Sequence, residues 1–559
     1  NPFVMLAKKH TTEDHGECYG INLVYSGNHY EAVHVDGSRK MRLLSGINPT
    51  GFCYQLKPNE QFEAPEAVMA YSNRGYTGMS HCMHYFVQNH IVRGQWKKKQ
   101  RPVLLNSWEA AYFKFDEGKL LKMAKDAKEL GIELFVLDDG WFGKRDDDKT
   151  SLGDWTPNLK KLPGGVKRLA EKINALGLEF GIWVEPEMVS EDSECYRAHP
   201  DWAVKIANQA HSFGRNQMIL DLTKTEVIAY IKEQLSNLFS SANISYVKWD
   251  MNRIFSDYYS NSLSPECQGE FSHRYVQGLY QILEHVQTHF PHILLEGCAS
   301  GGNRFDLGML CYAPQIWASD NTDPICRAKI QTGYSYGYPM SVVTAHVSDS
   351  PNHQTLRNTP MDTRYQVACF GLLGYECNLL ELQKEEWKQI AGQIELYKKH
   401  RETLQFGDYY RLGESNGQYQ WMVVSKDKKE ALGLYVQGLV TPNYSFGTFK
   451  TKGLAAEKQY HFYNRPMKFN IKEFGSLVNM VAPIHIKNHS IVQSLVAKVV
   501  KLESEKEDYI VSGSVMNHIG IRLKPGFASN GYDDQVRFFQ DFASRLYIME
   551  EVESTEGAV

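Results

Sequence analysis

At 559 residues the chain is too long for one compact core, so two or three domains are expected. Lys plus Arg (61) against Asp plus Glu (65) leaves a formal charge of −4, which gives no support to nucleic acid or an anionic membrane as the main partner. A hydrophobic content of 42% with 23% charged residues belongs to a folded soluble protein. The ten cysteines form no CxxC pair and read as reduced thiols. No apolar run reaches the roughly 18 residues of a membrane span, and Lys8 and Lys9 follow the short apolar start too soon for a signal peptide. A cytoplasmic location is expected.

Residues 1–100 read as all-β, a sandwich portion followed by a linker. Ile21 to Val35 reads as two strands about a Ser-Gly-Asn turn at Ser26–Asn28, and a helix is expected over Gly78–Ile91. The basic run Lys97–Arg101 before Pro102 reads as a solvated boundary. From Val103 the pattern becomes strand, loop, helix. Apolar strands are expected at 103–108, at Glu133–Leu137, at Glu179–Glu185, from Ile244 to Trp249, at Ile293–Cys298, at Gln315–Trp317, at 340–346 and within 370–380. Helical periodicity lies between several of them, at 118–130, 165–176, 226–241 and 275–290. About eight such repeats over roughly 300 residues predict an α/β architecture, a (β/α)8 barrel over 101–405. After a helix near 385–406 the pattern is again β-rich, with strands at Gln418–Val424 and Ala431–Val436. A C-terminal β-sandwich over 406–559 is predicted.

Three of the apolar strands end in aspartate: Asp138–Asp139, Asp250 and Asp320. In a parallel barrel these ends converge on the catalytic face. Paired carboxylates there serve metal binding or glycosyl transfer, in which one acid attacks or stabilises and the other protonates the leaving oxygen. Lys248, two residues before Asp250, would hold that aspartate ionised. Trp141, Trp155, Trp183 and Trp317 sit beside strand ends, where aromatic faces can stack on a sugar, although an aromatic content of 12% also suits β cores. A metal-dependent barrel enzyme and a non-catalytic carbohydrate-binding barrel are the alternatives. Glu185 and Glu187 compete with Asp320 for the acid's role. Asp146–Asp148 lack the spacing and glycine of an EF-hand and read as a solvated loop. His199 and His346 read as hydrogen-bonding residues rather than metal ligands.

Several ordered strings are more specific. They are Leu137-Asp-Asp-Gly-Trp-Phe-Gly143, Ser151-Leu-Gly-Asp-Trp155, Trp183-Val-Glu-Pro-Glu-Met-Val189, Tyr196-Arg-Ala-His-Pro-Asp-Trp202, Gly214-Arg-Asn-Gln217, Val247-Lys-Trp-Asp-Met-Asn-Arg253, Glu296-Gly-Cys298 and Trp317-Ala-Ser-Asp-Asn-Thr-Asp323. Through them the chain resembles glycoside hydrolase family 36, the bacterial-type α-galactosidases, over nearly its whole length. The resemblance implies a retaining exo-acting hydrolase of α-galactoside oligosaccharides such as melibiose or raffinose. It implies Asp250 as nucleophile and Asp320 as acid/base. Asp138 and Asp139 match the ligands of the sugar 4- and 6-hydroxyls, Lys248 and Arg215 match further hydroxyl ligands, and Trp183 matches an aromatic wall. Cys298 and Gly301 match positions beside the sugar 2-position. It implies no metal or other cofactor, and homo-oligomers, tetramers among them. Where the family commonly has a run of Ser and Gly, this chain reads Cys298-Ala-Ser-Gly-Gly-Asn303. That leaves an α-N-acetylgalactosaminidase of the same family as an alternative. The chain also starts well inside the N-terminal sandwich of that family.

Overall fold

Eight short apolar strands form a closed, wholly parallel barrel in the computed structural model, which describes residues 1–415, 417–441, 447–480, 482–527 and 535–552. The strands are β1 (Leu104–Asn106), β2 (Leu134–Leu137), β3 (Glu179–Val184), β4 (Tyr246–Trp249), β5 (Leu294–Gly297), β6 (Gln315–Trp317), β7 (Val343–Val347) and β8 (Leu372–Tyr375). β8 closes onto β1 through the pairs Gly374–Leu104 and Tyr375–Leu105. Almost every strand residue is buried, so the strands read as continuous apolar runs rather than alternating ones.

Helices cover the outside of the barrel. The helix Glu117–Leu130 buries Leu120, Met123, Ala124, Ala127 and Leu130, one stripe at helical spacing. Asp116 caps its start by accepting from the Lys119 N–H, and Gly131 ends it at φ 91°. Helices Gly165–Ala175, Thr225–Ser241 and Phe271–His289 likewise each bury an apolar stripe, without a side-chain cap at the start. The seventh strand is shorter than its sequence pattern, because residues Met340–Val342 form a helical turn before β7.

The first compact unit comprises 1–323, 330–356 and 368–399. It includes an N-terminal three-stranded antiparallel sheet in the order Phe3–Ala7, Cys18–Leu23, Ala67–Ser72, and a separate hairpin of His29–Val35 with Met41–Ile47. The expected pairing of the strands on either side of Ser26–Asn28 does not form. The intervening residues are anchored elsewhere: Ser26 N–H donates to Tyr280 Oη at 2.8 Å, its hydroxyl to Asp306 at 2.7 Å, and Tyr25 Oη meets His273 Nδ1 at 3.1 Å. The buried Cys18–Leu23 strand instead takes partners on both edges. The expected helix starts earlier, at Gly75, and continues as a wider turn over Val87–Ile91.

The second unit comprises 324–329, 357–367 and 400–559. Its centre is a six-stranded antiparallel sheet, ordered Asp408–Ser415, Gln418–Val424, Glu430–Val436, Ser544–Val552, Gln459–Asn464, Asp508–Ser512. One face carries a core of Met422, Phe462, Tyr547 and Met549, against which Phe449 and Ile521 of a two-stranded ribbon pack. Among the described residues no helix is long and apolar enough to cross a membrane.

Candidate active site

The carboxyl ends of the barrel strands enclose a small cavity of about 140 Å³. It is smaller than pockets for drug-sized ligands, roughly 300–1,000 Å³, and matches one sugar ring. Asp138 and Asp139 follow β2, Trp183 lies in β3, Lys248 in β4 with Asp250 just beyond, Cys298 follows β5, and Trp317 and Asp320 belong to β6 and its loop. All of these line the cavity, as does Arg215.

Asp250 is buried and held on both oxygens. Oδ1 accepts from Met251 N–H at 2.8 Å and Ser300 N–H at 3.4 Å. Oδ2 accepts from Asn252 Nδ2 at 2.7 Å and Trp183 Nε1 at 3.1 Å. Burial pushes its pKa up, but the Lys248 charge and the donors Cys298, Asn252 and Trp183 outweigh that, and the carboxyl stays below the usual range.

Lys248 acts on Asp250 through space. Its ammonium is bonded to Asp138 Oδ2 at 2.9 Å, an oxygen that also accepts from Asn106 Nδ2 at 2.7 Å. Asp139 receives Arg145 in a two-pronged pair, Nε to Oδ1 and Nη2 to Oδ2, each 2.8 Å. The two neighbouring acids thus meet two buried cations, Lys248 from β4 and Arg145 from further along their own loop, which lets them be buried side by side.

Asp320 stands at the cavity mouth, exposed. Its Oδ1 accepts from Trp317 Nε1 at 2.9 Å. The protein around it and the negative charge of Asp250 both push its pKa up, opposed by Lys248 and the Trp317 N–H. One cavity therefore holds two carboxyls driven in opposite directions, the arrangement that divides a nucleophile from an acid.

A chain of hydrogen bonds forms another wall. Arg215 Nη1 donates to Asn252 Oδ1 at 2.6 Å, and Ser300 Oγ donates to the same oxygen at 3.0 Å. The Cys298 thiol lines this side, and burial together with the charge of Asp250 pushes its pKa up. Gly301 does not line the cavity. At φ +84° an added Cβ would lie 2.9 Å from Asp320 N and 3.0 Å from Ser319 Cα, so glycine lets this loop approach the Asp320 loop. Beyond Arg215 and Asn252 opens a larger groove of about 720 Å³, with Phe213 and Tyr258 exposed on it.

Of the tryptophans at strand ends, Trp183 and Trp317 face the cavity. Trp141 and Trp155 form a layer behind Trp183, with Trp141 Nε1 donating to Trp183 O at 3.0 Å. Glu187 is bonded to Arg304 at 2.8 and 3.0 Å, to Trp249 and to Tyr275, away from the cavity. Glu185 lies one layer behind the wall. His199 stacks on Trp202 with centroids 3.8 Å apart, and His346 Nδ1 meets Glu376 at 3.1 Å. Asp146 pairs with Lys161 at 2.9 Å, and Asp148 accepts from Asn216 at 3.2 Å. Among the described residues one His/Glu group could gather a cation, His400 with Glu430 and Glu550, in the second unit.

Sequence reasoning missed Trp108, Glu109, Asn252, His353, Gln354 and Glu376 on the cavity wall. Glu376 directly follows β8 and could have been found by the strand-end rule that found Asp250. His353 and Gln354 come from the long loop after β7, where no periodicity marks them. His353 Nδ1 pairs with Glu109 at 2.9 Å, and Gln354 Nε2 donates to Asp320 O at 2.9 Å.

Comparison with known proteins agrees with this geometry. The Melibiase family model matches residues 61–407, and the models of the glycosyl hydrolase family 36 N-terminal and C-terminal domains match 1–57 and 418–549. Alpha-galactosidase AgaA of Geobacillus stearothermophilus is 48% identical over 462 residues, 82% of this chain and 63% of that protein. Alpha-galactosidase 1 of Pediococcus pentosaceus is 49% identical over 434 residues, 77% and 59% of the two. The chain thus spans about three fifths of the length of the curated relatives it matches. The crystal structure of AgaA superposes with a TM-score of 0.87 at 41% identity, covering 99% of this chain and 70% of that one. The alpha-galactosidase from Lactobacillus brevis gives 0.89 at 38%, covering 100% and 69%. Variants of AgaA have been crystallised with raffinose and with stachyose. The chain belongs to glycosyl hydrolase family 36.

Proposed function

We propose that this chain is a retaining, exo-acting α-galactosidase. It removes terminal α-linked galactose from oligosaccharides such as melibiose or raffinose, through a covalent galactosyl-aspartate. The observation that carries this reading is the pair of oppositely driven carboxyls in a cavity sized for one sugar, Asp250 held ionised and Asp320 held towards its protonated form. Asp250 attacks the anomeric carbon while Asp320 passes its proton to the leaving oxygen. Asp320, now ionised, then takes a proton from the water that releases galactose. Asp138, Asp139, Lys248 and Arg215 bind hydroxyls, and Trp183 orients Asp250 through its N–H and walls the ring.

The barrel over 101–405 carries the chemistry, and β regions over 1–100 and 406–559 precede and follow it in the chain. The working protein is a cytoplasmic homo-oligomer, acting without cofactor, nucleic acid or membrane. Support for the α-galactoside substrate comes from the relatives' names and from the raffinose and stachyose in the AgaA crystals.

The proposed substrate has an unsubstituted 2-hydroxyl, rather than an N-acetyl group, beside Cys298, Arg215 and Asn252. Parallel assays on p-nitrophenyl α-galactoside and its α-N-acetylgalactosaminide analogue test the reading. The account expects the galactoside to turn over at least about a hundredfold faster in kcat/KM. A preference for the N-acetyl substrate would move the chain to the α-N-acetylgalactosaminidases, and binding of galactose without turnover of either would make it a carbohydrate-binding barrel.

A further inference from the structure

Glu185 follows β3, is fully buried and does not line the cavity. Its Oε1 accepts from Gln217 Nε2 at 2.7 Å and from the backbone N–H of Asn252, while its Oε2 reaches no partner. These two donors belong to the two loops that shape the cavity wall. Gln217 closes the turn Gly214–Gln217, in which Arg215 and Asn216 sit at φ 50° and 59°. Backbone bonds between Gly214 and Gln217, at 3.1 and 3.3 Å, close this turn of two consecutive left-handed non-glycine residues, and the Gln217 amide fixes the closed turn to Glu185. Asn252 is two residues beyond Asp250, and its side chain both donates to Asp250 Oδ2 and accepts from Arg215. One buried oxygen therefore ties the Arg215 turn to the Asn252 turn.

We propose that Glu185 is a positioning residue of this site, clasping the two turns together and, through Asn252, setting the orientation of Asp250. It works as a neutral carboxylic acid. An ionised carboxylate would leave an oxygen with a share of negative charge buried and unpartnered, whereas the acid leaves only a neutral hydroxyl there, a smaller cost, while its carbonyl oxygen takes both donors. Burial pushes the Glu185 pKa up to about 8, and the negative charge of Asp250 adds to this. Arg145, the Asn252 N–H and the Gln217 amide oppose it. Arg145, already paired with Asp139, and Asp250 are the charged groups that face it. A protonated Glu185 keeps a second negative charge away from Asp250, so the pKa of the nucleophile stays under the control of Lys248.

The proposal rests on Asp250 being the nucleophile, and the test separates the two. The full chain and its E185Q and E185A variants are assayed on p-nitrophenyl α-galactoside across pH. Folding is followed by circular dichroism, and galactose binding by tryptophan fluorescence. E185A is expected to lose at least about tenfold in kcat, and E185Q to recover to within about threefold of the parent. The acid limb of kcat/KM should stay in place in E185Q, because no charge is removed. Galactose binding should rank the variants in the same order, so the clasp is tested even if turnover fails. A downward shift of the acid limb in E185Q would mean that Glu185 is ionised in the parent. A loss in E185Q as deep as in E185A would mean a role in proton transfer. Parent-like turnover and binding in a folded E185A would mean no role. Each of these overturns the proposal. If E185A does not fold, the E185Q limb and binding decide it. Near-parent turnover in Asp250→Asn would instead overturn the nucleophile assignment and leave the binding result to judge the clasp.

Discussion

The different roles proposed for Asp250 and Asp320 rest on what surrounds each of them. Asp250 accepts four hydrogen bonds from Met251, Ser300, Asn252 and Trp183 and sits near Lys248, so it is ionised when substrate arrives. Asp250→Asn keeps the shape and removes the proposed nucleophile, and kcat should fall by roughly 10³-fold or more with the protein still folded. Near-parental turnover of clean protein would end the assignment. Lys248→Met takes away the cation that lowers the Asp250 pKa. The acid limb of kcat/KM should move upward by about one pH unit, and an unmoved limb would show that the hydrogen bonds alone hold Asp250 ionised. At this scale the sequence was readable where a strand-end rule applied, as for Asp138 and Asp250. The partner of Lys248 was not readable. Which of two acids an ammonium reaches depends on the stagger of β2 against β4, and no spacing within one strand encodes that.

At the scale of elements, the barrel was legible because its strands are buried on both faces and so appear as unbroken apolar runs between amphipathic helices. Where a run blurred, the reading blurred with it. β8 was expected only as somewhere within 370–380, and Glu376 at its end was therefore passed over. The N-terminal hairpin about Ser26–Asn28 failed for a different reason. A Ser-Gly-Asn string is a turn signal whichever strands it joins, and here tertiary bonds from Ser26 to Tyr280 and Asp306 decide the pairing. The loops after β5 and β6 give a testable case. Gly301→Ala places a Cβ against Ser319 and Asp320 at a φ of +84°, and relief requires moving the acid's loop. Stability should fall by about 1–3 kcal/mol and kcat should fall with it. A change in melting temperature without a change in kcat would separate this glycine from the placement of Asp320.

At the scale of the whole molecule, the electrostatics of the cavity predict how activity follows pH. As pH falls through the lowered pKa of Asp250, the proposed nucleophile is neutralised and activity should fall. As pH rises through the raised pKa of Asp320, the proposed acid loses its proton and activity should fall again. The profile should be a bell with its acid side set by Asp250 and its alkaline side by Asp320. Asp320→Ala should lose the alkaline limb and spare substrates with good leaving groups. Added azide should then yield α-galactosyl azide. An alkaline limb that survives in this variant would assign it elsewhere. Exhaustive EDTA treatment should leave activity intact, because Lys248 and Arg145 already occupy the acids that a cation would seek. A loss restored by a divalent ion would point to metal-dependent chemistry. The central claim is the double displacement on Asp250, and its most direct test is proton NMR of the first product formed from p-nitrophenyl α-galactoside, recorded before mutarotation. The account predicts α-galactose first, with the β-anomer growing in later, whereas β-galactose appearing first would mean direct attack by water and would contradict it.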